Sequence, residues 1–245
     1  MTVTGRTLKW VGILSMTLDH IGAVLLGSRI PEVLEGAGPA SAAENLQFIL
    51  YLFLRFAGRL AFPVFCFLLT EGFCHTSSRK RYAGRMFFFA VISEIPFDLA
   101  FHGKILESGG QNVFISLFLG IAVMFLLEKT ENRTPGIAQA CSGAAGMAAR
   151  AAIIGLGCAA AEMLRCDYGW FGILLISVLY LLRAGRKGQT AAGAALCLPE
   201  ITAPLAFFFI SRYQGAPGKR GWKYFFYMYY PLHLLVLVFI RHVLF

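Results

Sequence analysis

The sequence predicts an all-α fold: a polytopic bundle of about eight transmembrane helices, both termini cytoplasmic, forming one integral-membrane domain over residues 1–245. Three observations lead there. The chain is 58% hydrophobic and only 14% charged, with a mean hydropathy of +0.67. A soluble domain has about 45–50% apolar and about 25% charged residues, so this chain has too little polar surface to cover a globule in water. Apolar runs close to the roughly 20 residues a helix needs to cross a bilayer recur at about 8–28, 47–74, 82–102, 112–128, 137–163, 168–183, 190–211 and 224–244. Finally, the basic residues of this chain of net charge +9 sit in the short loops between the runs. Topology alone would place them there, so the positive charge does not argue for nucleic acid.

The first run follows Arg6 and Lys9 as a signal peptide would, but no small-residue cleavage site and soluble domain come after it, so it reads as a retained span. In its middle stand Asp19 and His20, where a charge costs about 2.5–3.5 kcal/mol on insertion scales. Adjacent residues on a helix point about 100° apart. Asp19 therefore shares a face with Ser15 and Gly22, and His20 one with Met16, Thr17 and Val24; each needs a partner from another helix. For Asp19 the natural partner is a guanidinium, expected to be that of Arg59. For His20 it is a carboxylate such as Glu71, Glu94 or Asp98 that would fix the tautomer.

The second run, "YLFLRFAGRLAFPVFCFLLTEGF", puts Arg55 and Arg59 on one face, four residues apart, with Pro63 placed to kink the helix just beyond and Glu71 near its end. The third ends "ISEIPFDLAF"; Pro96 is expected to break it and leave Glu94 and Asp98 flanking the break. The fifth, "GIAQACSGAAGMAARAAIIGLGCAAAE", carries small residues at helical spacing, the pattern of close backbone packing. The sixth is short. The eighth opens with the aromatics Tyr224 to Tyr230, an interfacial belt, and carries His233 behind Pro231. His233 is a second candidate base or a hydrogen-bonded core residue. The six cysteines, Cys66, Cys74, Cys141, Cys158, Cys166 and Cys197, have neither C-x-x-C nor zinc-ligand spacing and read as small hydrophobes, so no metal is expected. The loop charges favour both termini inside by 11 to 7; "SRYQGAPGKRGWK" opposes the rule, so either a span is miscounted or its basic residues have a task.

Asp19, His20, Arg55, Arg59, Glu71, Glu94, Asp98, Glu162, Glu200 and His233 all lie in or beside the runs, far more ionisable groups than anchoring needs. Such residues usually face a bundle interior or a wet cavity. Buried ion pairing is the structural alternative for any one of them.

The fragments "LKWVGILSMTLDHIGAVLL", "LRFAGRLAFPVFCFLLTEGFCHT", "ISEIPFDLAF", "NVFISLFLG", "YGWFGILLI" and "KRGWKYFFYMYYPLHLL" together resemble the TraX family of membrane proteins, whose founding member is the pilin acetylase of conjugative plasmids. The resemblance runs from about residue 8 to residue 240 and touches Asp19, His20, Arg59, Glu71, Glu94, Asp98, Asn112, Tyr168, Trp170 and His233. It implies an enzyme of the bacterial cytoplasmic membrane, akin to integral-membrane acyltransferases, that moves an acetyl group from acetyl-CoA to an amine or hydroxyl. The acceptor it implies is a pilin-like peptide or another envelope component, a glycan or a lipid. The residues suit that chemistry. Acyl transfer from a thioester needs a base and positive charge for the oxyanion, roles for His20 and for Arg59. The CoA phosphates would be received by Arg79, Lys80 and Arg81 of "HTSSRKR" and by Arg183, Arg186 and Lys187 of "RAGRKG". Neither a P-loop nor a dinucleotide-binding fingerprint is present. Two other classes compete: a proton-coupled transporter using Asp19, His20, Glu94 and Asp98 as a relay, disfavoured by the lack of an internal repeat, and an assembly subunit, which would leave the buried charges without a purpose.

Overall fold

A computed structural model describes residues 3–27, 30, 41–131, 143–216 and 223–244. The helices are α1 Gly5–Ile21, continued by a π-helical turn Gly22–Leu26, then α2 Ala42–Gly58, α3 Ala61–His75, α4 Arg79–Phe101 and α5 Val113–Glu131. They continue with α6 Ala144–Met163, α7 Gly169–Leu181, α8 Arg186–Leu196, α9 Ala206–Ser211 and α10 Lys223–Leu244. Among the described residues there is no sheet, only two isolated bridges. Among the described residues, five stretches are long and apolar enough to cross a membrane: Gly5–Leu26, Ala43–His75, Val113–Glu131, Ala144–Met163 and Tyr224–Leu244. The start of the fifth run, with Cys141, and the basic residues Arg29, Arg133, Lys219 and Arg220 lie outside the described residues.

The chain forms two compact units. Unit 1 comprises Met1–Leu68, Ile95–Glu107 and Thr190–Phe245; unit 2 comprises Leu69–Glu94 and Ser108–Gln189.

In unit 1, α1 packs on α2 and α3 through residues without bulk. A Cβ on Gly12 would meet the Phe65 ring at 3.0 Å, and one on Gly22 would meet Leu54 at 3.0 Å. Helix α10 lies beside α1 and runs parallel to it. Trp10 packs on Phe225 and Phe226, Thr17 on Tyr229, and His20 on His233. The chain just before α10 is tied to the start of α1: Val3 N donates to Arg212 O and Gly5 N to Ala216 O. Parallel first and last helices place the start of α1 and the end of α10 at opposite ends of unit 1.

The run at 190–211 departs from the single span read from the sequence. It is not one helix but α8, a 3-10 turn Leu198–Glu200, a second 3-10 turn Ala203–Leu205 and the short α9. Pro199 and Pro204 each withdraw an N–H from the helical ladder, and the segment turns back instead of running on.

The second run is also two helices, separated at Arg59 and Leu60. Here the proline acts as its position suggests: Pro63 has no N–H for the Arg59 carbonyl, and the ladder stops there. Pro96 does not break α4, which continues through it to Phe101. A missing N–H frees the single carbonyl of Ile92, and the hydrogen bonds on either side keep the helix intact.

Unit 2 has α5, α6 and α7 at its centre. Gly120 lies under Ile176, and a Cβ on Gly157 would fall 2.5 Å from Val123, so the small-residue face of α6 does bring backbones close. Phe73 and Tyr180 meet edge to face in the core.

Candidate active site

Unit 1 gathers its polar groups on two faces of α1. Toward α10, His20 Nδ1 lies 2.6 Å from His233 Nε2, with the two rings within 6° of parallel. His233 Nδ1 is 2.8 Å from the Tyr229 carbonyl. A carbonyl only accepts, so His233 carries its proton on Nδ1, and its Nε2 in the neutral ring is an acceptor. The proton between the rings then belongs to His20 Nδ1. It follows that neutral His20 has its lone pair on Nε2. The same bond survives when His20 becomes a cation, so the ring can gain and lose a proton without disturbing its support.

The support is itself fixed. Thr17 Oγ1 donates to Ile13 O at 2.8 Å and so accepts from the Tyr229 hydroxyl at 2.7 Å. The Tyr229 ring lies parallel to His233 at 5.0 Å, and Phe101 and Tyr230 meet His20 edge-on. The expected carboxylate partner of His20 is thus replaced by a second imidazole. Helix α10 presents His233 one turn beyond Tyr229, whose carbonyl does what a carboxylate was expected to do.

Toward α2, Ser15, Asp19 and Gly22 face the neighbouring helix together, as their spacing requires. Asp19 pairs with Arg55 at 2.7 Å, not with Arg59. Arg59 lies in the break after α2 and pairs instead with Glu200 at 3.1 Å. The two arginines are one turn apart on paper, but the chain leaves the helix at Arg59, and its side chain is carried to the 198–205 segment. Arg55 also lies within electrostatic range of His20. The close approach depends on Gly58: a Cβ there would sit 2.2 Å from the Asp19 Cβ.

The last carbonyls of α2, which a helix end leaves without intrahelical partners, are taken by hydroxyls. Ser15 Oγ donates to Ala57 O and Gly58 O at 2.6 and 3.0 Å, and Thr202 Oγ1 donates to Phe56 O at 2.6 Å.

Asp98, also in unit 1, is fully buried and accepts from the Glu107 N–H at 2.8 Å and from His102 Nδ1 at 3.3 Å. It closes the loop after α4, while Arg241 covers the Leu99 and Ala100 carbonyls at 2.7 Å each. Asp98 is therefore placed as a capping residue and not as the partner of His20. The Asp98–His102 pair follows an i, i+4 spacing that was open to view in the sequence.

The remaining candidates belong to unit 2. Glu94 accepts from the side chain of Asn112, which also donates to Ala90 O and caps α5 by accepting from Phe114 N. Glu162 accepts from Trp170 N at 2.8 Å at the start of α7, where Gly169 adopts φ +42°. Glu71 pairs with Arg186, Arg79 with Glu128, and Arg183 with Glu131. Three of the six cations expected to hold CoA phosphates are therefore engaged by glutamates. Lys80, Arg81 and Lys187 are exposed. Among the described residues no group of His, Cys, Asp and Glu is arranged to hold a metal ion.

Residues 4–241 match the family model described as TraX protein. The curated protein described as "Probable fimbrial assembly protein FimC, serogroup H1", from Dichelobacter nodosus, is 27% identical over 260 residues, covering 94% of this chain and 92% of that protein. No solved structure matches.

Proposed function

This chain belongs to the TraX family, and from that premise we propose that it is a multi-pass membrane acyltransferase moving an acetyl group from acetyl-CoA to an amine or hydroxyl. The observation that carries the reading is the single lone pair left on His20 Nε2 by the chain of hydrogen bonds through His233 to the Tyr229 carbonyl. His20 is the general base, and His233 and Tyr229 are positioning residues that hold its tautomer. Arg55 takes the oxyanion role in place of Arg59: Asp19 accepts one of its donors and fixes the guanidinium, and further N–H groups remain to receive developing negative charge. The acceptor we favour is a fimbrial or pilin-like subunit, on the strength of the family and of the name borne by the Dichelobacter relative.

The parallel course of α1 and α10 supports an odd number of crossings, with the 186–211 segment entering and leaving by one side. On that arrangement fourteen of the eighteen loop cations lie inside, including those of "SRYQGAPGKRGWK", and Arg29, Lys104, Arg165 and Arg241 lie outside. The loop that opposed the rule then obeys it. A reporter active only outside the membrane should work when fused after residue 244; activity confined to cytoplasmic reporters there would restore an even count.

The test of function is turnover of acetyl-CoA by the detergent-purified protein, together with mass spectrometry of envelope fractions for an acceptor heavier by one acetyl group. A proton-coupled transporter would neither hydrolyse acetyl-CoA nor leave that mass. The interrupted α2–α3 run is the feature that favours this second reading.

A further inference from the structure

The segment between α8 and α9 holds a strained turn against the break between α2 and α3. Thr202 N donates to Glu200 O at 2.7 Å, two residues back, and Ile201 between them has φ +54° and ψ −68°. This is a γ-turn of the uncommon hand, and a β-branched residue at positive φ is a genuine outlier. Packing does not hold Ile201 there, since the residue is 69% exposed. The turn is held from either side: Glu200 is paired with Arg59, and the Thr202 hydroxyl is bonded to Phe56 O. Both grips fall on the end of α2, and Gly58, the seat of Asp19, lies between Phe56 and Arg59 in the chain. Strain maintained by surrounding contacts is characteristic of switch elements.

We propose that the 198–205 turn is a latch on the end of α2. Closed, as observed, it holds Gly58 against Asp19 and so keeps Arg55 in place. It opens by letting Ile201 relax to negative φ, which withdraws Glu200 from Arg59 and Thr202 from Phe56. The strain in Ile201 makes opening easier than it would be for an unstrained turn, so the wild-type latch is set to move during the reaction cycle. Only the activity arm of the test below rests on the acyl-transfer reading.

The test uses the full chain in lipid nanodiscs and two substitutions that accept positive φ, Ile201→Gly and Ile201→Asn. Relieving the strain should favour the closed form. Both variants should raise the thermal midpoint, slow amide hydrogen exchange across residues 197–205 several-fold, and reduce acetyl-CoA turnover several-fold. Arg59→Gln, which removes one grip, should speed exchange over the same residues. Exchange that is unchanged or faster in both Ile201 variants would overturn the latch. So would slower exchange with full turnover, which would make the turn a static fitting. If the wild-type protein turns over no acetyl-CoA, the acyl-transfer reading fails, and the exchange data alone decide the latch.

Discussion

The two units use the same kinds of charged residue in different ways. In unit 2 Arg79 and Arg183 stand at the ends of regular helices. Arg79 reaches Glu128 and the Thr76 carbonyl while lying over Phe73, and Arg183 reaches Glu131 and the Tyr180 carbonyl while lying 4.0 Å from the Tyr180 ring centroid. Each of these two cations has a carboxylate, a carbonyl and an aromatic face. In unit 1 the polar groups gather where the backbone is irregular: a π-turn after His20, a break after Gly58, and a γ-turn at Ile201. There, side chains satisfy backbone groups, and the proposed chemistry draws on one imidazole nitrogen and a guanidinium. Charge alone therefore does not distinguish the two units. The proposed site lies where charge stands beside interrupted backbone.

The sharpest test of the contrast is at His20. His20→Ala should reduce acetyl-CoA turnover by about 10²–10⁴-fold, far more than the loss of its bond to His233 lowers the folded fraction. His233→Ala should also lose rate, in part rescued by His233→Gln, whose amide can accept from His20 Nδ1. A His20→Ala protein that kept more than a tenth of the wild-type rate would move the base elsewhere.

Next in size is the Asp19–Arg55 pair. Removing either partner strands a largely buried charge, a loss of about 3–5 kcal/mol in the buried limit, and less here because both side chains keep some exposure. Asp19→Ala combined with Arg55→Ala should be less impaired than the sum of the single variants. Asp19→Ala combined with Arg59→Ala should come closer to additive. Reversal of that order in thermal unfolding would return Arg59 to the role first expected of it.

Gly58→Ala comes third: forcing a methyl onto Asp19 should destabilise unit 1 by about 1–3 kcal/mol, with turnover falling as Arg55 loses its anchor. The smallest effect belongs to unit 2. Arg183→Ala breaks a pair about one-third exposed, which is worth about 0–1 kcal/mol, and should leave acetyl-CoA turnover untouched. Loss of acetyl-CoA binding in that variant would mean the unit 2 cations do serve the donor.

The readable and unreadable parts of the sequence divide along physical lines. The Ser15–Asp19–Gly22 face, the divergence of Asp19 from His20 and the interruption near Pro63 follow from helical geometry, and each is met. Hydropathy failed at 190–211 because it weighs how apolar a segment is and not whether its ladder is continuous; Pro199 and Pro204 were the available signal. Spacing did not choose between Arg55 and Arg59, since residues four apart share a face until one of them leaves the helix. The pairing of His20 with His233, 213 residues away, had no local signature at all. Glu200 was visible as a charged residue in an apolar run, but its role depends on a turn that only tertiary contacts hold in place.

The two-histidine arrangement has an electrical consequence. A histidine braced by a carboxylate carries one net negative charge at rest and none once protonated, whereas two neutral rings ending on a carbonyl carry none until a proton is taken up. With α1 lying across a bilayer, the transmembrane voltage acts on net charge at about 2.3 kcal/mol per elementary charge per 100 mV over the whole thickness. The resting dyad offers that field nothing to pull on. Voltage would act only during the brief interval when His20 is protonated, so in energised vesicles the rate of transfer, and neither donor affinity nor folding, is the quantity that should follow the membrane potential.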